Sequence, residues 1–266
     1  MTARRIGLLC VSTVLALVCG EAASRALGLS TTWASYGAER ELNLHDLVTP
    51  ESVGFTRRPG TTWKMPRGLT FTANADGFRD RAFARAKPAG VIRVAFLGDS
   101  VKEGYGVEES SRFANQAIQL LPQRARFEGL NFGVVGQSTA DEYLVLTRHA
   151  LPFNPDVVLL QVGWNDFAQN AQKLPVIDGR APASVVPAFS PPPPPIPGWK
   201  GFLQQHSALY LAVAERVSVL RLTRGEPNAI LDRIASTRQE EWAATDRILD
   251  LFAGACRASG ARAMVA

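Results

Sequence analysis

The chain has 266 residues, 46% hydrophobic and 20% charged, a composition that excludes general disorder and can fill a sizeable core. Its formal net charge of +5 is lopsided: residues 1–90 carry 12 Lys+Arg against 7 Asp+Glu, whereas residues 91–266 carry 17 of each. A neutral main region excludes a nucleic-acid binder, which gathers basic residues on its folded domain.

In chain order, Arg4 and Arg5 precede an apolar run over residues 6–20, the pattern of an export signal with the remainder facing outward. Continued to Leu29, the helix reaches the ~20 residues needed for a span, with Glu21 and Arg25 one turn apart and able to pair. Residues 1–29 read as a retained signal anchor, with a cleaved signal peptide as the alternative. Gly20-Glu21-Ala22 is a poor small-x-small cleavage site. The expected location is the cell envelope, periplasmic or extracellular, with the membrane as a partner through this helix. Protein partners are unspecified.

Residues 30–90 read as a polar, irregular N-terminal extension, and the domain proper as 91–266. Residues 91–97 form a buried-strand run ending at Gly98. A helix is expected over 112–122 and a second strand over 130–135, ending at Gly136. Thr139 and Glu142 suggest a capping box opening a helix to about His149. Residues 155–162 form a third, continuously apolar strand. Strands apolar on both faces, alternating with helices, predict an α/β fold with a parallel sheet covered on both sides. Nine of the 17 prolines fall between Pro175 and Pro197, so 168–200 reads as a proline-rich surface insertion. Two helices follow. Leu209, Val213, Val217 and Leu220 stripe the first. The second is capped by Ser236 with Gln239 and striped by Trp242, Leu249, Phe252 and Cys256. Gly260 stops it, and residues 261–266 open a fourth strand.

Three strand ends deliver three clusters: Gly98-Asp99-Ser100, Gly133-Val134-Val135-Gly136 and Gly163-Trp164-Asn165-Asp166. In an open parallel sheet all three belong to the rim where ligands bind. The residue types suit acyl transfer. A serine hydroxyl at a strand-to-helix turn can attack a carbonyl. The resulting oxyanion needs donors, which the Ser100 N–H, the Gly136 N–H and the Asn165 carboxamide can supply. Lys102 and Glu103 read as solvated residues, Asp99 as a tie for its own loop, and Asp166 as a tie for the Asn165 loop. The three cysteines, Cys10, Cys19 and Cys256, allow no Cys-x-x-Cys site; neither metal nor cofactor is expected.

These clusters resemble the blocks of the SGNH/GDSL hydrolase superfamily. Block I matches residues 96–107, block II residues 131–136 and block III residues 163–166. Asn74-Ala75-Asp76-Gly77-Phe78-Arg79 resembles the Asn-x-x-Gly-Phe-Arg segment of membrane-anchored members. The resemblance spans about 74–266. It implies a flavodoxin-like three-layer α/β/α sandwich, Ser100 as nucleophile, and Ser100, Gly136 and Asn165 as the oxyanion hole. The family's late Asp-x-x-His segment has no counterpart: the three histidines, His45, His149 and His206, follow no aspartate at that spacing. With the base absent this chain is expected to be nearly inactive and to be a fragment of a longer enzyme. The function expected is an esterase acting on an O-acyl group of an envelope glycan or lipid. The alternatives are a non-catalytic glycan-binding module and an acyltransferase partner in polysaccharide modification.

Overall fold

The computed structural model describes residues 3–29, 48–49, 51, 53–64, 69–122, 124–183, 198–223 and 237–266. In chain order the elements are α1 (Ala3–Ala26), β1 (Thr62–Lys64), β2 (Thr70–Thr72), β3 (Val91–Leu97), α2 (Ser100–Glu103), α3 (Phe113–Leu120), β4 (Arg126–Asn131) and α4 (Thr139–Val145). Then come β5 (Val157–Leu160), α5 (Asp166–Ile177), α6 (Trp199–His206), α7 (Ala208–Thr223), α8 (Gln239–Ser259) and β6 (Arg262–Val265). They fall into two compact units, Met1–Leu44 with Pro192–Ala229 and His45–Pro191 with Ile230–Ala266.

In the first unit, α1 is long and apolar enough between Arg4 and Ala26 to cross a membrane, by length and composition. Helices α6 and α7 meet at Ser207. Of the stripe expected on α7, Val213, Val217 and Leu220 are exposed and Leu209 is half-buried against Gly20, while Ala208, Leu211 and Ala212 are buried.

The second unit is built on a four-stranded parallel sheet in the order β4-β3-β5-β6. Alternation along the strands splits the core. Ala95, Leu97, Leu130, Val158 and Leu160 join Val145, Phe252 and Cys256 on the side of α4 and α8. Val94, Phe96, Val157 and Leu159 meet Ala114 and Ile118 of α3 on the other. Each fully buried large apolar side chain contributes about 1.5–3 kcal/mol. The expected α/β architecture with helices on both faces is therefore present, and its strand order is that of flavodoxin-like sheets.

Several boundaries differ from the sequence reading. The second strand is Arg126–Asn131 rather than 130–135. Phe132 and Val134 are apolar because they are buried after leaving the sheet. The box opening α4 is one residue earlier: the Ser138 N–H and hydroxyl both donate to Asp141 Oδ2, at 2.8 and 2.9 Å. At α8 the reciprocal partners are Arg238 and Glu241, whereas Ser236 lies outside the described residues. Gly260 ends that helix in the left-handed region, at φ 79°. The expected insertion begins as helix α5, and the proline run at 191–195 lies outside the described residues. The described part of 30–90 holds the β1–β2 hairpin and supplies Phe55 and Phe78 to the core.

Candidate active site

Strands β4, β3 and β5 are parallel neighbours, so the loops after them leave from the same edge of the sheet. From β3 the chain crosses to β4 on one side and later to β5 on the other. The loops after β3 and β5 therefore flank the topological switch point, where such sheets bind ligands. Ser100 and Asn165 stand on those two loops, and Gly136 on the loop after β4.

The first loop is fixed by backbone and side-chain bonds. The Gly98 carbonyl accepts from Val134 N at 3.1 Å, joining the first loop to the second. Asp99 caps α2, its Oδ1 accepting from Val101 N at 2.9 Å. Ser100 opens α2 half-buried, and among the described residues its hydroxyl makes no hydrogen bond. In the second loop, Asn131 donates from Nδ2 to Lys102 O at 2.9 Å and accepts from Gly133 N at 3.1 Å. Gly133 lies flat against α2: a Cβ there would sit 2.5 Å from Glu103 N, so no side chain fits. Gly136 turns the chain at φ 82°, a conformation that favours glycine.

The third loop is held by Asp166. Its Oδ2 accepts from Gly163 N and from Thr139 Oγ1, both at 2.9 Å, tying block III to the first turn of α4. Asn165 folds its carboxamide over Gly163, where a Cβ would lie 2.7 Å from Asn165 Oδ1. Block III thus needs glycine at 163 so that the amide at 165 can take this position. Asp99 and Asp166 play the tying roles expected of them. Lys102 and Glu103 do not: both are buried rather than solvated. The Lys102 ammonium lies 3.4 Å from the centre of the Phe113 ring, and burial lowers its pKa to about 8.

Glu103 leads to the group of residues that sequence reading missed. Arg57, brought in from the extension, forms a fully buried ion pair with Glu103, Nε to Oε1 at 2.7 Å and Nη2 to Oε2 at 3.0 Å. Glu103 Oε2 also accepts from Val135 N at 3.2 Å, next to Gly136. Arg79, of the Asn-Ala-Asp-Gly-Phe-Arg segment, donates to the carbonyls of Glu103, Gly104 and Val107 and stacks over Phe71. Neighbouring Phe78 is wholly buried against Phe132. The segment therefore braces the back of block I.

The acids behind the rim share one low-dielectric region. Burial pushes Asp166 up to about 7 and raises Asp99. Glu142 is fully buried, neither of its oxygens has a hydrogen-bond partner among the described residues, and burial holds its pKa well above the usual carboxylate range. A raised acid binds more protons folded than unfolded, so this contribution is most favourable below pH 4. It declines as the pH climbs through 7. Asp166→Asn removes one such charge while keeping an acceptor. Chemical denaturation at pH 5 and pH 8 is expected to show the variant losing roughly 1–3 kcal/mol less than the parent over that interval. Equal losses would contradict the assignment.

No described histidine of this unit reaches the rim. His149 lies in the π-turn Leu146–Ala150, at the far end of the helix that starts near block II, with its ring 5.7 Å from that of Phe78. His206 belongs to the other unit and packs on Phe202, and His45 is outside the described residues.

Comparison with solved structures finds the SGNH-hydrolase family esterase AlinE4, 22% identical, covering 36% of this chain and 53% of that chain, with TM-score 0.28. TesA is 14% identical, covering 63% of this chain and 99% of that one, with TM-score 0.28. The acetylxylan esterase Axe2 of Geobacillus stearothermophilus is 13% identical, covering 65% and 74%, with TM-score 0.28. This chain thus spans about half of the first of these. None of the curated proteins matches it. The model of the GDSL-like Lipase/Acylhydrolase family matches residues 96–262, more than half of the chain, and the protein belongs to that family.

Proposed function

We propose that this protein is a serine esterase in which Ser100 is the nucleophile and the N–H groups of Ser100 and Gly136, with the Asn165 carboxamide, form the oxyanion hole. The observation that carries this reading is the common edge of β4, β3 and β5, from which all three loops leave. Ser100 Oγ attacks the ester carbonyl as a base takes its proton. The three donors hold the negative oxygen of the tetrahedral intermediate. The alcohol departs carrying the proton the base took from Ser100, and water, giving a proton to the same base, attacks the acyl group and releases it as the acid while Ser100 Oγ regains its proton. His149 is too far along its helix to be that base. The family's Asp-x-x-His segment has no match in the sequence, so activity is measured on the complete product of the reading frame.

Helix α1, with Arg4 and Arg5 in its first turn, supports a signal anchor that holds the catalytic unit outside the cytoplasm. That location favours an O-acyl ester of an envelope glycan or lipid as substrate. Asn165→Ala tests the oxyanion assignment through p-nitrophenyl acetate hydrolysis. The variant is expected to lose about 10²–10³-fold in kcat with KM little changed. Unaltered kcat would remove Asn165 from the site.

A further inference from the structure

We propose that the α6–α7 corner is a membrane-surface element that lies on the same bilayer that α1 crosses, with Trp199, Phe202, Val213, Val217 and Leu220 facing lipid. This rests on the reading of α1 as a retained anchor.

The corner is stapled to one particular level of α1. The Glu21 carboxylate accepts from Ser207 Oγ at 2.8 Å and from Ala208 N and Leu209 N, both at 3.0 Å. It thereby satisfies donors of the first turn of α7 that no residue of that helix can reach. Arg25 pairs with Glu21 at 2.6 Å and donates to the His206 carbonyl, also at 2.6 Å. Gly20 permits the close approach, since a Cβ there would sit 3.0 Å from Leu209 Cδ2. Along α1, Glu21 and Arg25 are roughly 24 and 30 Å from Arg5, the second matching the ~30 Å thickness of a bilayer's hydrocarbon core. A span with Arg4 and Arg5 at one boundary therefore has the staple at the other. Nearer the N-terminus, Ile6, Leu9, Val14 and Val18 remain 49–60% exposed, so α7 does not follow α1 down through the bilayer.

The faces that leave this corner are apolar. Val213, Val217 and Leu220 are 53%, 39% and 55% exposed at spacings of four and three, which makes one stripe. On α6, Trp199 and Phe202 are 66% and 63% exposed. Five exposed large apolar side chains on two short helices exceed scattered surface hydrophobicity. Its companions suit a lipid interface: Trp199 carries Lys200 over its ring at 5.7 Å, and Arg216 is exposed. With Glu215, Arg216 and Arg221 among its 16 residues, α7 is too charged to cross and too short to span. Lipid is favoured over a protein partner because the corner is hydrogen-bonded to the C-terminal end of α1, the helix read as the anchor, whose apolar side chains are exposed along its length.

The test places single spin labels in the full chain, in vesicles of phosphatidylethanolamine and phosphatidylglycerol, after Cys10→Ser, Cys19→Ser and Cys256→Ala. The labels are introduced as Leu15→Cys, Val213→Cys, Val217→Cys and Glu109→Cys. Collision with oxygen and with a water-soluble nickel chelate reads depth. Leu15 is expected to be deepest, with the labels at 213 and 217 showing an oxygen-to-nickel ratio about fivefold or more above that at 109. If 213 and 217 match 109 while 15 is deep, the surface element is overturned and the anchor stands. An aqueous label at 15 overturns both. Dipolar broadening at 213 identifies a second copy as the occupant and overturns the proposal.

Discussion

In the complete product of the reading frame, Ser100→Ala is expected to lower kcat for p-nitrophenyl acetate about 10⁴-fold or more, with the melting temperature almost unchanged. The large effect follows from chemistry: without the hydroxyl no acyl-enzyme forms, and only the donors and binding contacts remain. The small one follows from the structure. The hydroxyl is half-buried and makes no hydrogen bond among the described residues, so its loss orphans no partner. Removing it is expected to cost less than about 0.5 kcal/mol. A parallel loss of activity and stability would point to a structural serine. Unchanged turnover would remove Ser100 from the mechanism.

Arg57→Ala is expected to be the most destabilising single change behind the site, by about 3–5 kcal/mol, or about 10 °C or more in melting temperature. Both partners of the Arg57–Glu103 pair are 1% exposed, so the variant leaves a carboxylate buried without its counter-ion. Arg57→Met combined with Glu103→Leu removes both charges together and is expected to cost far less than either single change. The same pair matters to function because Glu103 also holds Val135 N, beside Gly136. Loosening it should lower kcat through the oxyanion hole even where the variant remains folded. Chemical denaturation of Arg57→Ala and of the double variant, with kcat measured on Arg57→Ala, checks this; a double variant as unstable as Arg57→Ala would refute the role assigned to the pair.

The legible parts of this protein were those where apolar pattern and function coincide. Strand β3 is buried on both faces, β5 is buried on one face and half-buried on the other, and both read as nearly continuous hydrophobic runs. The glycines and polar residues at their ends stood out against those runs. Helix α5 reads as part of an insertion because its inward face is polar. Asp166, Asn170 and Lys173, spaced four and three apart, are all buried, meeting Thr139, Thr245 and Asp141 respectively. Hydropathy has no signal for a face satisfied by hydrogen bonds. The braces from Arg57 and Arg79 were equally hidden. Their partners lie 46 and 24 residues away in sequence, and nothing local marks an arginine that will be buried. The stripe on α7 is an apolar face whose residues from Val213 onward are exposed, since periodicity reports that a face is apolar and not what covers it.

The most direct measurement is a crystal structure of the complete protein after reaction with an ester-like phosphonate. The account predicts phosphorus bonded to Ser100 Oγ, with the phosphoryl oxygen within hydrogen-bond reach of Ser100 N, Gly136 N and Asn165 Nδ2. A phosphonyl group on another residue, or on Ser100 with that oxygen turned away from Gly136 and Asn165, would contradict it.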